Sequence, residues 1–250
     1  MKKTIMALMI AGVSSGAYAD TILGIYAGAG NWMASYEGDA GADAVDLDEL
    51  NLEDTDNLYF YIALEHPVPL IPNIRLAHTN IQVDGISTLT STFTLDEQTY
   101  TSGTAVFTDL DMTHTDATLY YEILDNWVTF DIGITARSFD GYVYVESREP
   151  GVDQSEEVEL SEVVPMGYVK AQFDLPFSGW RVGASGNVIS YSGDSFSDLD
   201  AKIGYMSDGL ALDFGLDIGY RSMNLKIDDS DDLQADLTIA GPYVEASLHF

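Results

Sequence analysis

The last segment of the chain carries three residue types that occur together in nucleophilic catalysis. Glu245, Ser247 and His249 alternate with other residues and therefore share one face of an extended chain. A nucleophile, its base and an orienting acid must lie within hydrogen-bonding distance, whereas neighbours on one strand face are about 6.5–7 Å apart. We therefore interpret these three as solvated polar residues and not as a catalytic triad.

A second candidate combines two acids with a histidine. Asp109 and Asp111 flank one leucine, and His114 follows three residues later. Proteases of the omptin type are similar to this chain in size and use acid pairs with an Asp-x-His sequence, which this chain lacks. Asp-Leu-Asp also recurs at 46–48 and 198–200 as ordinary composition. The runs of acidic residues elsewhere in the chain lack the spacing of a calcium-binding loop. From these patterns together we predict no catalytic residue, no cofactor and no metal ligand.

Charged residues recur on the polar face of segments whose polarity alternates. The basic ones are Arg75, Arg137, Lys170, Arg181, Lys202 and Arg221, and the acidic ones are Glu65, Asp116, Glu122, Asp131, Asp174, Asp200, Asp213, Asp217 and Glu245. From these we predict one interior network of ion pairs. Its members are Arg75, Asp131, Arg137, Lys170, Arg181, Lys202, Asp213, Asp217 and Arg221. The alternative is a charged constriction that selects a solute.

These side chains must be positioned by strands, because the alternation has a period of two residues. The clearest case is 210–221, where Leu, Phe, Ile and Tyr alternate with Ala, Asp, Gly and Arg. No stretch of the exported chain has the ~18 apolar residues of a membrane-spanning helix. Ten strands are predicted, at 22–36, 57–66, 73–84, 108–124, 127–140, 163–175, 180–191, 197–206, 210–226 and 236–250.

The connections between these strands differ at the two ends. Short ones fall at 66–72, 124–126, 175–179 and 207–209, and mostly longer acidic ones at 37–56, 85–107, 141–162, 192–196 and 227–235. A soluble β-sandwich or lipocalin-like barrel alternates too, but shows no such asymmetry. The pattern predicts an all-β, transmembrane, antiparallel up-and-down β-barrel of about ten strands, with short periplasmic turns and longer acidic extracellular loops.

Aromatic residues on the apolar face support this topology. Tyr121, Phe173, Trp180, Tyr205 and Phe250 lie beside the short connections or the chain end, where we predict one membrane interface. A second group lies near the longer connections and predicts the opposite interface. Its members are Tyr36, Phe139, Tyr142, Tyr191 and Phe196.

The first residues have the pattern of an export signal. Lys2 and Lys3 precede a short apolar run, and residues 17–19 have the small-x-small pattern of a signal-peptidase site. We predict a signal peptide over 1–19, cleavage between Ala19 and Asp20, and a mature barrel over 20–250. The chain has no cysteine, which excludes disulfides and lipoprotein processing.

Composition excludes two other classes of protein. The formal charge is −31, which argues against a nucleic-acid partner because phosphate binding needs clustered Lys and Arg. Hydrophobic residues make up 46% of the chain, which is too many for a disordered protein. A folded, exported and strongly acidic protein is predicted.

The end of the chain, from Tyr243 to Phe250, resembles the C-terminal signature of bacterial outer-membrane barrels. Phe250 is terminal, and Leu248 alternates behind it. The resemblance implies recognition of this strand by the barrel-assembly machinery. The mature chain also resembles an uncharacterised family of ~250-residue barrels from marine Gram-negative bacteria, on 119–122, 125–127, 133–137 and 139–141. That family implies no known activity.

Together these patterns predict a protein of the cell outer membrane with a structural or surface-interaction role. Ten strands enclose a lumen close to the size that side chains fill, so ion pairs are predicted to plug it. The alternative is a small selective, porin-like channel, and a lipid- or peptide-acting enzyme comes third. Membrane lipid, and lipopolysaccharide bridged to the acidic loops by divalent cations, are the predicted partners.

Overall fold

The computed structural model describes residues 23–40, 45–96, 98–207, 209, 212–228 and 234–250. The predicted cleavage site at Ala19 and Asp20 lies outside the described residues. The strands are β1 (Gly24–Ala40), β2 (Val45–Asp46), β3 (Thr55–Glu65), β4 (Asn73–Thr79), β5 (Gln82–Thr88), β6 (Phe93–Leu95), β7 (Gln98–Tyr100), β8 (Ala105–Asp111), β9 (His114–Asp125), β10 (Val128–Phe139), β11 (Gly141–Ser147), β12 (Ser155–Leu160), β13 (Val163–Asp174), β14 (Trp180–Tyr191), β15 (Asp194–Ser207), β16 (Asp213–Asp228) and β17 (Gln234–His249). One 3₁₀ helix spans Leu47–Leu50. No helix among the described residues is long and apolar enough to cross a membrane.

Ten of these strands form a closed antiparallel barrel: β1, β3, β4, β9, β10 and β13 to β17. The last strand pairs with the first, so that Ala246 lies opposite Ala29, and the barrel has no open edge. Backbone hydrogen bonds of 2.8 and 3.0 Å between Ile25 and Phe250 complete this closure. The fold confirms the predicted ten-stranded barrel. We call the end with the short connections and the chain terminus the turn end, and the other the loop end.

Four adjacent barrel strands continue past the loop end as a second sheet. The second sheet consists of β5, β8, β11 and β12, which are adjacent in the chain to β4, β9, β10 and β13, respectively. Its strands pair in the same order as those four barrel strands. Each break is only one or two residues long, and Met112 N still donates to Ile81 O at 2.9 Å across two of them. We call this four-stranded sheet the extension. The predicted strands 73–84 and 108–124 are therefore each divided in two.

The extension corrects the prediction that 85–107 and 141–162 are solvated loops. Both segments alternate like the barrel strands, but many of their outward residues are polar, such as Glu157 and Glu159, which is typical of loops as well. In β8, Val106, Thr108 and Leu110 point inward and are buried, while Asp109 faces out. The predicted connection at 192–196 is also shorter in the structure, where Ser192 and Gly193 alone join β14 to β15.

A hydrophobic core fills the concave side of the extension and continues into the barrel. It receives Ile81 and Val83 from β5, and Tyr100 from the β6–β7 hairpin, whose hydroxyl donates to Val145 O at 2.9 Å. The 3₁₀ helix adds a leucine at each of its ends. The described segment 45–50, which follows β1, therefore folds inward and covers the barrel.

Glu49 on the 3₁₀ helix ties this inward-folded loop to the segment between β5 and β6. Its Oε2 accepts hydrogen bonds from Thr90 N at 3.2 Å, Ser91 N at 3.2 Å and Ser91 Oγ at 2.9 Å. Hydrogen bonds from Thr90 and Ser91 hold the pKa of Glu49 below its usual value of 4.5. A carboxyl whose pKa is lower in the folded state stabilises the fold when it is ionised.

We therefore expect the Glu49 contact to be intact at neutral pH and to weaken as pH falls below 4.5 toward the folded-state pKa. Hydrogen exchange measured by mass spectrometry should then show faster relative exchange at Thr90 and Ser91. The Glu49→Gln variant should show this faster exchange, relative to distant segments, already at pH 6 and lose its acid dependence. Identical exchange in the variant and the parent protein at pH 6 would contradict the assignment.

The outer surface of the barrel carries an apolar belt. Its partly exposed side chains include Leu58, Phe60, Ile62, Ile74, Leu76, Leu119, Ile132, Ile134, Val169, Leu199, Ile203, Leu216, Ile218 and Val244. The predicted turn-end aromatic group, Tyr121, Phe173, Trp180, Tyr205 and Phe250, lies at the exposed edge of this belt.

The second predicted aromatic group is wrong in most of its members. Tyr36 and Phe196 are buried in the core, and Phe139 packs against them. Tyr142 lies on the extension, beyond the barrel, and of the five only Tyr191 is largely exposed. These rings close the loop end from within because ten strands at this diameter leave room for inward aromatic side chains.

Two glycines on β1 make room for the tyrosines of the interior. A Cβ atom at Gly30 would lie 2.4 Å from the ring of Tyr59, and one at Gly28 would lie 2.5 Å from the ring of Tyr61. Real side chains do not approach that closely. The glycines of one strand thus permit the tyrosines of the next to lie flat against the wall.

Candidate functional site

The inward faces of the barrel strands form a polar lumen, which is the candidate functional site. All nine residues of the predicted network lie on this face, as the alternation of each strand requires. They do not form one network, however. They divide into separate clusters at different heights, and several pair with residues other than those expected.

A buried cluster of two arginines and two aspartates crosses the lumen in its loop-end half. Arg137 binds Asp116 at two points, Nε to Oδ1 at 2.8 Å and Nη2 to Oδ2 at 2.7 Å, and also donates to Asp198 Oδ2 at 2.6 Å. Arg221 binds the same Asp198 through Nε at 2.8 Å and Nη2 at 2.6 Å. These residues come from β9, β10, β15 and β16, so this Arg–Asp cluster joins separated strands across the lumen.

An apolar layer lies directly above the Arg–Asp cluster. The guanidinium of Arg137 lies 5.2 Å from the ring centroid of Phe196, and that of Arg221 lies 4.6 Å from the ring of Trp32. Such cation–π contacts are favourable when they are shielded from water. The layer consists of Trp32, Phe139, Met166, Ile189, Phe196, Met223, Leu225, Leu237 and Ile239.

The apolar layer closes the lumen at the loop end. Its side chains come from β1, β10 and β13 to β17, and the inward-folded Val45, Leu47 and Leu50 belong to the same cluster. Phe139 lies 5.8 Å from Phe196 between ring centroids, which brings side chains of separated strands into contact. A dry, closely packed layer of this kind has no room for a column of water.

A second cluster lies nearer the turn end. Arg181 binds Asp217 through Nε at 2.9 Å and Nη2 at 2.5 Å, and Nη2 also donates to Ser247 Oγ at 3.0 Å. Lys202 Nζ lies 3.5 Å from Asp217 and 3.2 Å from Glu245. Two basic and two acidic side chains thus compensate each other's charge. All of them except Glu245 belong to the predicted network.

Tyrosine hydroxyls satisfy carboxylates that have too few cations. Glu245 accepts from Tyr59 at 3.0 Å and from Tyr61 at 3.2 Å. Each hydroxyl replaces part of the hydration that a carboxylate loses in a confined lumen. Similar bonds join Tyr120 to Glu65 at 2.7 Å and Tyr243 to Asp200 at 3.0 Å.

Two acids of the predicted network lie outside both clusters. Asp131 lies 3.2 Å from Lys170 Nζ on the neighbouring strand. Asp213 lies at the turn end, 3.4 Å from His249 Nδ1, and not beside an arginine or a lysine. The register of β13 against β10 brings Lys170 directly opposite Asp131.

Arg75 lies in the wall of the lumen against an aromatic ring. Its guanidinium carbon is 4.6 Å from the ring centroid of Tyr61. No carboxylate of the described residues forms an ion pair with it. Arg75 therefore belongs to the lumen as predicted, but its contact is a cation–π interaction.

Below the Arg–Asp cluster the lumen is not filled. A cavity of about 780 Å³ extends from Arg137 and Arg221 down to the turn end, where Asn126, Trp127 and Phe177 line its mouth. It is open at that end and closed at the other by the apolar layer. The predicted lumen is plugged by ion pairs along its length, whereas the structure has an apolar layer above the Arg–Asp cluster in the loop-end half and a vestibule in the turn-end half.

The three catalytic residue types on β17 make separate contacts. Ser247 Oγ accepts from Arg181, and Glu245 is bound by Lys202 and two tyrosines. The His249 ring stacks on Tyr26 with 4.1 Å between centroids. The structure therefore does not bring Glu245, Ser247 and His249 together.

Asp109, Asp111 and His114 are also dispersed. Asp109 accepts from the Tyr142 hydroxyl at 3.0 Å on the outer face of the extension, and Asp111 accepts from Gln82 at 2.6 Å. His114 is buried, with Nδ1 at 2.9 Å from Met112 O. Within the described part of the chain, no three His, Asp or Glu side chains are arranged to hold a metal ion.

Sequence reasoning missed Asp198 and the tyrosines as members of the lumen clusters. Asp198 shares the parity of Asp200 and Lys202, so the alternation alone could have placed it inward. Its role, which is to join two arginines, has no signal in the sequence, because both partners lie on other strands. The tyrosines Tyr59, Tyr61, Tyr120, Tyr168 and Tyr243 alternate with apolar residues and share the inward parity as well.

Comparison with known proteins gives likenesses of structure alone. No family model and no curated protein matches the chain. The outer membrane protease OmpT from Escherichia coli aligns over 91% of this chain and 96% of its own, with 10% identity and a TM-score of 0.49. The transport unit of the autotransporter AIDA-I from Escherichia coli aligns over 98% and 95%, with 10% identity and a TM-score of 0.40.

The toluene transporter TodX from P. putida aligns over 96% of this chain and 90% of its own, with 8% identity and a TM-score of 0.31. With TM-scores of 0.49, 0.40 and 0.31, these structural similarities carry no inference about activity. The class that the chain's own geometry defines is a closed ten-stranded β-barrel with an apolar outer belt, a closed loop end and a polar vestibule.

Proposed function

We propose that this chain is a non-conducting outer-membrane β-barrel that displays the extension at the cell surface. The apolar outer belt supports a membrane location, because a closed barrel leaves no backbone group unpaired in lipid. The short connections and the chain terminus then face the periplasm, and the extension faces the exterior. The role is structural or mediates surface interactions.

The observation that carries this proposal is the closure of the lumen at the loop end. The apolar layer and the Arg–Asp cluster are built from the barrel strands themselves, together with the inward-folded 45–50 segment. A strand-borne layer cannot swing aside as a separate domain does. A selective channel, the alternative reading, needs a continuous aqueous path, and the vestibule ends below this layer.

The extension supplies the surface that would meet other molecules. Its outward face carries two acids in directly opposite register positions, Asp84 and Asp109, and a third acid, Glu157, lies opposite Tyr144. Like charges placed opposite each other weaken a sheet unless cations or partners compensate them. We propose that divalent cations bridge this face to anionic lipopolysaccharide, with membrane lipid surrounding the belt below.

The terminal residue fits a role in assembly. Phe250 closes the barrel seam against Ile25 and keeps its ring half exposed. Leu248 lies on β17, and Phe250 directly follows that strand. β17 pairs with both β1 and β16. We propose that the barrel-assembly machinery recognises this strand during insertion and that the closed seam replaces that contact afterwards.

Conductance in a planar lipid bilayer tests the proposed function. The refolded protein, checked by heat-modifiable electrophoresis, should insert without producing unitary current steps above those of the bare bilayer. The apolar layer excludes water, and ions do not cross such a layer at useful rates. A uniform unitary conductance from the parent protein would support the channel and contradict the proposal.

A further inference from the structure

The loop between β3 and β4 exposes apolar side chains at the turn end. Residues 66–72 read His-Pro-Val-Pro-Leu-Ile-Pro and contain no Asp, Glu, Lys or Arg. Val68 is 50% exposed, Leu70 91% and Ile71 55%. Turns that face water are usually built from Gly, Asn, Asp and Ser, so this composition needs a different explanation.

This loop holds its apolar residues in a fixed arrangement. Three prolines restrict the backbone, and two hydrogen bonds join its parts: His66 N donates to Asn73 Oδ1 at 3.0 Å, and Val68 N donates to His66 Nδ1 at 3.2 Å. Leu70 has a φ of 70°, a left-handed conformation that is uncommon for leucine. The chain thus maintains an unfavourable backbone and keeps a leucine fully outside the protein.

A hydrogen bond places the loop beside the outer wall of the barrel. The hydroxyl of Tyr121, an outward-facing residue of β9, donates to Leu70 O at 3.0 Å. Asn73, the first residue of β4, lies opposite Tyr120. Continuing that register brings Leu70 level with the exposed Ile123. The loop therefore lies along the line that β4 would follow if it were longer.

The apolar belt is incomplete at β4. This strand contributes only Ile74 and Leu76 to the belt. The next outward residue toward the loop end is the polar His78, which forms a hydrogen bond with Thr115. The adjacent β9 contributes four outward residues from Ala117 to Ile123. With a rise of about 3.4 Å per residue and a tilt near 40°, these runs cover about 5 Å and about 16 Å of belt height. The exposed side chains of the loop occupy the missing part.

We propose that the loop 66–72 is a membrane anchor whose Leu70 and Ile71 side chains insert among the phospholipid acyl chains of the turn-end leaflet. The anchor completes the belt below β4, where the strand itself is too short. The inference rests on the proposed membrane location and adds a specific lipid contact to it. The lipid is selected by hydrophobicity alone, so no particular headgroup is required.

The absence of cysteine makes site-specific labelling direct. Leu70→Cys carries an NBD fluorophore in refolded protein inserted into phosphatidylcholine vesicles. We expect its emission to shift to shorter wavelength, to be quenched by lipid with a nitroxide on the upper acyl chain, and to be protected from aqueous iodide. Because Leu70 contacts no core residue through its exposed side chain, the variant should fold, and heat-modifiable electrophoresis checks this.

Two matched labels make the result decisive. Ile86→Cys is equally apolar and 59% exposed but lies on the extension, so iodide should quench it and nitroxide lipid should not. Ile132→Cys, in the middle of the belt, should be quenched by nitroxide lipid. If Leu70 behaves like Ile86 while Ile132 is quenched by lipid, the anchor is wrong and the membrane location stands.

Other outcomes overturn the inference in different ways. Quenching of the Ile132 label by iodide would remove the membrane location and the anchor together. Protection of the Leu70 label from both iodide and nitroxide lipid would show that protein, such as a second copy of the chain, covers the loop. Cross-linking of Leu70→Cys to itself in undiluted vesicles would identify that second copy.

Discussion

The Arg137→Met variant should unfold at a markedly lower urea concentration than the parent protein. Arg137 is fully buried and holds Asp116 and Asp198. Removing it leaves the buried Asp116 without a cation, and breaking a buried pair in this way costs about 3–5 kcal/mol. The free energy of unfolding in lipid vesicles, followed by tryptophan fluorescence, measures the loss.

Lys226→Met is the matched control for the loss of a positive charge. Lys226 is exposed near the loop end of β16, and exposed charges contribute little, so a change below about 0.5 kcal/mol is expected. An Arg137→Met midpoint equal to that of Lys226→Met would contradict the account of the Arg–Asp cluster. Altered conductance with an unchanged midpoint would favour a channel instead.

The Trp32→Ala variant should show the other large loss. Trp32 is fully buried in the apolar layer, its Nε1 donates to Gly241 O at 3.2 Å, and Arg221 lies over its ring. Replacing a buried tryptophan with alanine leaves a cavity and costs about 3–5 kcal/mol. The same urea titration, followed by electrophoretic mobility because one fluorophore is lost, measures the effect.

Trp127→Ala controls for the removal of an indole ring. Trp127 lies at the turn end, more than half exposed, and contacts Phe173 edge to face with 5.2 Å between ring centroids. Its loss should therefore cost much less than that of Trp32. Equal effects at the two positions would mean that the layer around Trp32 is not packed as described.

These two variants separate two contributions to the closed loop end. The Arg–Asp cluster joins β9 and β10 to β15 and β16 by charge, and the apolar layer fills the space above it by packing. The cation–π contacts of Arg137 and Arg221 couple the two parts. A variant in which both Arg221 and Trp32 are replaced is thus expected to lose less free energy of unfolding than the two single variants lose together. The contact between the two residues is counted in both single losses.

Which side chains face inward could be read from the sequence, because side chains on a strand alternate strictly. The inward positions of Arg75, Arg181 and Arg221 follow from this period alone. So do the outward aromatic residues at the turn end. The number of barrel strands followed from the number of alternating segments, and the asymmetry of the connections separated the two ends.

The partners of the inward residues could not be read in this way. A partner across the lumen depends on the register of every intervening strand pair and on the closure of the barrel. Asp198 therefore joins Arg137 to Arg221, although no spacing in the chain relates these residues. The extension was missed because many outward residues of its strands are polar, as the residues of solvated loops are.

The sequence by itself thus determined the class of fold and the side of the wall on which each residue lies, because both depend on local alternation. Only the tertiary structure decided that the loop end is closed, that the turn end holds a vestibule, and that 45–50 folds inward. Those properties arise where side chains from distant strands meet. Their positions are set by the curvature and shear of the closed sheet, which no single segment contains.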